Sequence, residues 1–471
     1  MRPRRKSALL VLSAAALLLP SCSRKSDPRL EGSLRQERNG WIFVHLEGSP
    51  SRIGFQHGYL LAEEIADAQK VIALVLEHDT KRPWSFFRDA AQKVFWPKIG
   101  EEYRQELAGI AEGVRARGVG LDVWDITALN NFLEFSPYYI RWWEESHGKK
   151  ATGGPPTRES CSAFVATGSY TRDGRPVIGH NAWTGYMEGA RWRIVFDIVP
   201  ERGHRILMDG FPGLIHSADD FGMNSAGIMI TETTISQFHG YDPDGIPEFV
   251  RARRAMQYSA SIDEFARIMR EGNNGGYANN WLVADRKTAE IASLELGLKN
   301  VTLQRTRDGY FVGANFPVNE KLAREETTFP VNDPSVSANA RRKRWEQLMA
   351  EYKGRIDIES GKRFLSDHFD AFAGKEDPNE RTLCGHIELS PRGLQPWQPP
   401  FAPAGAVQAK VADAAMAERM SFVAAMGHSC GRDFLAAEHL KRHPQFEWQK
   451  PFLRDLRSHP WTEFSALRAG E

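Results

Sequence analysis

The chain changes character at one place, and that change limits what it can fold into. Residues 146–160 (SHGKKATGGPPTRES) are Gly, Pro, Ser, Thr and Lys with almost nothing apolar, the composition of an exposed loop. Upstream, Phe55, Tyr59, Leu60, Ile65, Val71, Ile72 and Val75 recur at helix-like spacings, and further helical stretches are expected around 84–97, 101–116 and 121–145. Downstream, short β-like runs take over at 162–167, 176–179, 193–199, 205–208, 228–233, 281–284, 290–294, 301–304 and 310–312. Helical blocks return at 247–271, 338–353 and 360–367, while 386–404 is Pro-rich and irregular. Runs of strands flanked by runs of helices predict a layered α+β or α/β/β/α body, not alternating βαβ units.

The first residues are set apart from the fold. Arg2, Arg4, Arg5 and Lys6 precede an apolar run from Ala8 to Leu19, too short to span a bilayer but suited to a signal peptide. The run ends in Leu19-Pro20-Ser21-Cys22, which resembles a bacterial lipobox with Cys22 as the lipidated residue. The expected location is therefore the bacterial cell envelope, as a lipoprotein of the periplasm or outer membrane, or a secreted form. A polar tether is expected over 22–38, a helical N-terminal segment over 39–160 and a catalytic domain over 161–471.

Composition excludes several function classes. A chain that is 41% hydrophobic with 13 Trp is not disordered, and a net charge of +1 gives no basic excess for nucleic acid. No glycine-rich phosphate loop joins a strand to a helix, so no nucleotide cofactor is expected. Four Cys are too few for a disulfide scaffold.

Cys161 stands where the polar loop meets the first strand. A catalytic thiol must be reachable, ionisable and held still, and this junction offers access on one side and rigidity on the other. Its surroundings, Glu159-Ser160-Cys161-Ser162-Ala163-Phe164-Val165-Ala166 and then Asp173-Gly174-Arg175-Pro176-Val177-Ile178-Gly179-His180-Asn181-Ala182-Trp183, resemble the phospholipase B-like family. More broadly they resemble the penicillin acyltransferase-type (C45) peptidases. The resemblance continues through Gly54-Phe55-Gln56-His57-Gly58, Phe221 to Ile228 with Thr231-Glu232-Thr233-Thr234, Tyr277 to Asp285, and Gly405 to Val411 with Met420 to Val423. It covers most of the chain after residue 40. Trp183 stands where many acyltransferase-type relatives carry Asp, which favours the phospholipase B-like branch.

The resemblance implies a four-layer αββα N-terminal-nucleophile hydrolase fold and a precursor that cuts itself between Ser160 and Cys161. It implies Cys161 as nucleophile, His180 and Asn181 beside it at the end of the second strand, and an oxyanion donor at Asn280 or its neighbour Asn279, with Asn280 chosen from its place in the motif. The substrate class is an acylated, lipid-like amide or ester, cleaved through a thioester. The alternatives are an acyltransferase or peptide/β-lactam amidase, and a non-catalytic lipoprotein that binds lipid or a partner. The fragments 22–160 and 161–471 are expected to stay associated.

Other residues read as structural. Asn224 suits a hairpin turn. Arg341, Arg342 and Arg344 read as a solvated helix face. Cys384-Gly-His386 and His428-Ser-Cys430 have tighter spacing than usual zinc patterns, and a Cys384–Cys430 disulfide suits an oxidising compartment at least as well. No metal and no cofactor are expected.

Overall fold

In a computed structural model, the described residues are 27–148, 161–218 and 221–468. The expected signal peptide, Cys22 and Ser160 lie outside them. The strands are β1 (Leu34–Arg38), β2 (Trp41–Gly48), β3 (Cys161–Thr167), β4 (Val177–Gly185), β5 (Ile194–Pro200), β6 (Ile206–Gly210), β7 (Gly222–Asn224), β8 (Ile228–Thr234), β9 (Asn279–Asp285), β10 (Glu290–Leu296), β11 (Val301–Thr306), β12 (Gly309–Gly313), the short pair β13 (Phe369–Asp370) and β14 (Lys375–Glu376), β15 (Ala404–Asp413), β16 (Ser421–Met426) and β17 (Thr462–Ser465).

They form a nine-stranded sheet, ordered β1-β2-β5-β6-β7-β8-β9-β10-β11, and a six-stranded sheet, ordered β12-β3-β4-β15-β16-β17. Side chains alternate along a strand, so each sheet has two faces to cover. Between the sheets pack Phe43, Val195, Leu207, Met229 and Leu282 from one, and Ala163, Val165, Ile178, Ala406, Phe422 and Phe464 from the other. The outer face of the nine-stranded sheet packs Val44, Phe196, Ile230 and Trp281 against helices that include Pro50–Leu60, Ala62–Thr80, Glu101–Ala116 and Glu248–Tyr258. The outer face of the other sheet packs Phe164, Ala166 and Val411 against Trp345, Leu348 and Phe364 of the helices Ser337–Glu351 and Ile358–Leu365. The result is the four-layer αββα arrangement. Among the described residues no helix is long and apolar enough to cross a membrane.

The N-terminal region departs from the expectation of a tether followed by helices. Residues 34–48 form a hairpin, and β2 pairs with β5 in parallel, Ile42 opposite Ile194 through Gly48 opposite Pro200. β1 (LRQER) looks like a tether because it is an edge strand whose polar side chains face solvent. β2 (WIFVHLEG) lacks a clear period because both of its faces are buried. The segment is tied down elsewhere too. The buried Arg253 guanidinium meets Glu106 at 3.1 Å, Asn130 bonds Gly213 O and Ile215 N, and His57 Nε2 accepts from Gly213 N at 3.0 Å.

Candidate active site

Cys161 opens β3 and is buried, at 1% exposure. β3 and β4 are antiparallel, with Cys161 opposite Ala182, Ser162 opposite Asn181 and Ala163 opposite His180. The Cys161 and His180 side chains therefore share the inter-sheet face of the six-stranded sheet. β8 of the nine-stranded sheet supplies Glu232. The Cys161 Sγ, a His180 ring nitrogen and a Glu232 carboxylate oxygen all lie within 4.8 Å of one another. Tyr277 Oη donates to Glu232 Oε1 at 3.0 Å, and the Asn279 amide, with its nitrogen toward the acceptors around it, donates to Glu232 Oε2 at 3.0 Å. Glu232 is thus held by two donors beside the Cys161–His180 pair.

The backbone of Cys161 is held from both sides. Its N–H donates to Asn315 Oδ1 at 3.2 Å, and its carbonyl accepts from Arg341 Nη1 at 2.5 Å. Arg341 also donates to Asn315 Oδ1 (3.1 Å), Ser337 Oγ (3.0 Å) and Ser162 Oγ (3.3 Å), and its guanidinium lies 4.3 Å from the centroid of the Trp183 ring. Asn315 adopts a left-handed backbone, φ 69°, a conformation Asn tolerates better than most residues. Its Nδ2 donates to Thr234 O at 2.9 Å, which joins the two sheets at this point.

Three expectations change. Arg341 is not on a solvated face; it is fully buried in the helix Ser337–Glu351, because that helix turns one side onto β3. Asn181 faces away from the thiol, since it alternates with His180, and its Nδ2 donates to Leu365 O (3.0 Å) and Leu383 O (2.9 Å). His180 and Asn181 lie in the middle of β4, not at its end. Asn280 accepts from Ser293 Oγ at 2.7 Å, whereas Asn279 is the neighbour bonded to Glu232. Sequence reasoning missed Glu232, Asn315 and Arg341 as parts of this site. Thr231-Glu232-Thr233-Thr234 places a carboxylate inside an otherwise neutral buried strand, which was the available signal for Glu232. Nothing local marks the other two.

Burial pushes the Glu134 carboxyl up to about 7, although it accepts from Glu248 N (2.5 Å) and Asn274 Nδ2 (2.6 Å). It props the turn that leads into Asn279. Elsewhere, His368, Cys384, His386 and Cys430 converge within 4.8 Å of one another.

Cys161 thus heads an inner strand of a layered αββα body, with His180 beside its thiol and its own backbone nitrogen and carbonyl both fastened. The Phospholipase B family model matches residues 64–304, and the chain belongs to that family. A phospholipase B-like 2 protein of Rattus norvegicus is 25% identical over 337 residues, covering 62% of this chain and 56% of its own. The acyl-coenzyme A:6-aminopenicillanic-acid-acyltransferase 40 kDa form of Emericella nidulans is 24% identical over 237 residues, covering 49% and 57%. The chain thus spans about half the length of the curated relatives it matches. A conjugated bile acid hydrolase mutant of Clostridium perfringens, of solved structure, aligns with 56% of this chain and 88% of its own at 12% identity, with a TM-score of 0.34.

Proposed function

We propose that the chain is a self-processing cysteine hydrolase that cleaves an acyl amide or ester through a thioester at Cys161. The observation that carries the reading is the fastening of the Cys161 backbone nitrogen to Asn315 Oδ1, with the thiol beside His180. That nitrogen needs a dedicated acceptor if it is to become a reacting amine.

In the uncut chain the Cys161 thiol gives its proton to His180 and adds to the Ser160 carbonyl carbon. The S–C bond forms as the Ser160–Cys161 C–N bond breaks, and the departing nitrogen takes a proton. Water then hydrolyses the thioester, leaving a Ser160 carboxylate and an N-terminal Cys161. The free α-amine, with an ordinary pKa near 8, becomes the base for later turnovers, still oriented by Asn315. The 1% exposure of Cys161 suits an intramolecular first step, which needs no access for an outside substrate. Asn279 and Asn280, at the head of β9, are the candidate amide donors to an oxyanion.

Intact mass and N-terminal sequencing test the reading. The wild type should yield a fragment beginning at Cys161, and Cys161→Ala should stay whole. A wild type that stays whole under turnover conditions rejects it and favours a binding protein. The likeness to the Emericella acyltransferase supports a second reading, in which an amine replaces water as acceptor. Product analysis with added amine separates the two. A lipid-like substrate and anchorage through Cys22 complete the proposal. Hydrolysis of acyl amides against lysophospholipids tests the first, and the mass of the mature N-terminal peptide tests the second.

A further inference from the structure

The loops outside β4 bring together four side chains that the proposed chemistry does not use. His368 follows the helix Ile358–Leu365, Cys384 and His386 flank Gly385, and Cys430 lies in the turn after β16. Their ligating atoms lie within 4.8 Å of one another. His368 Nε2 and His386 Nε2 are 3.2 Å apart, and Cys430 Sγ is 3.6 Å from His386 Nε2. A tetrahedral zinc with ordinary bond lengths sets its nitrogens about 3.3 Å apart and a nitrogen and sulfur about 3.6 Å apart. Cys384 and Cys430 are free thiols, not joined as a disulfide.

The surroundings fit a ligand set. His386 Nδ1 lies 2.9 Å from Glu388 Oε1, so its proton sits there and Nε2 presents a lone pair to the cluster. Glu388 Oε2 accepts in turn from Tyr186 Oη at 2.7 Å. Gly385, at φ 67°, permits the tight spacing between Cys384 and His386, and a Cβ there would meet the Trp183 ring at 2.2 Å. The Cys384 N–H donates to Asp367 O (3.1 Å), and Arg344 holds the Asp367 carboxylate at 2.6 Å, which fixes the residue before His368. Ser429 Oγ and Asn181 Nδ2 both donate to Leu365 O.

We propose that His368, Cys384, His386 and Cys430 bind a structural zinc ion. With four protein ligands the site is closed, so the ion has no open position for catalysis. It joins three loop segments beside β4 and so braces Trp183, the ring that also carries the Arg341 guanidinium. The inference does not depend on the proposed self-processing, because zinc is read independently of any cut.

The full chain, incubated with zinc sulfate and dialysed, should retain about one zinc per chain by elemental mass spectrometry, and Cys384→Ser with Cys430→Ser should lose it. Glu388→Gln should weaken zinc binding by about 10- to 100-fold. In the wild type, iodoacetamide should label Cys430 quickly only after a chelator is added, a reading that needs no variant to fold. Cobalt in place of zinc should give the visible absorption of a tetrahedral thiolate site. Three results each overturn the proposal: a wild type without stoichiometric zinc, Cys430 labelling indifferent to chelator, or a Cys384–Cys430 disulfide in the unreduced peptide map.

Discussion

Two cysteine clusters lean on the same strand, and their surroundings differ in kind. The first holds one thiol, one imidazole and one carboxylate close together, with Cys161 and His180 supplied by the paired β3 and β4. The second holds two thiols and two imidazoles among loops, braced against β4 through Asn181 and Trp183. A nucleophile needs a lone pair left over for an incoming carbon, so its neighbours are few and its backbone is what is fixed. A metal site uses up every lone pair, so its donors are many and come from several segments. Thiol and imidazole chemistry alone does not separate the two roles; the count of converging donors and the treatment of the main chain do.

The largest expected effect breaks the comparison at the first cluster. Cys161→Ala should abolish both the self-cut and turnover while leaving the zinc content of the chain unchanged. Loss of zinc with intact cutting would show the roles assigned the wrong way round. Next, Arg341→Lys keeps the charge but loses the fork that holds Cys161 O and Asn315 together. Misplacement of the reacting group by such a change should slow the cut by about 100-fold, read from a time course of intact mass, while the chelator response of Cys430 persists.

A third expectation concerns protonation on the nucleophile's side. Glu134 is raised in the folded state from 4.5 to about 7, so the folded chain holds a proton that the unfolded chain releases. Its contribution is fully present below pH 4.5, falls as pH rises toward 7, and is lost above that, by up to about 3 kcal/mol. Chemical denaturation across pH 4.5 to 7 should show a steeper loss of stability in the wild type than in Glu134→Gln, which keeps the contribution of Glu295, also raised to about 7 by burial. The smallest effect sharpens the boundary between the clusters. Asn181→Ala removes two buried hydrogen bonds and should cost about 1–3 kcal/mol of stability, with cutting retained. Loss of cutting at unchanged stability would return Asn181 to the reacting machinery.

Much of this was legible in the sequence. β3, β5, β6 and β8–β12 lie close to the runs expected, because alternation and turns are local signals, whereas β4 runs on to Gly185, six residues past its expected end. Cys161 and His180 come together through a single antiparallel register, which a motif can carry. Arg341 and Asn315 act on Cys161 across 180 and 154 residues, and their roles depend on how the layers stack. Asn181 was misread because adjacent strand residues face opposite ways. Cys384 with His386 and His428 with Cys430 were visible as two close pairs, but His368 was not. Without it the pairs matched no metal pattern, and a disulfide stood as an equal reading.

The parallel pairing of β2 with β5 has a consequence for the protein's lifetime. A cut before Cys161 would leave β2 seated in the sheet with no peptide link to its neighbour. The uncut chain finds that register as one molecule; the cut pair, once parted, must find it as two. Maturation then works as a ratchet. Heat inactivation of the mature form would follow the rate of first opening and its reversal would depend on protein concentration, whereas the Cys161→Ala precursor could refold at any dilution.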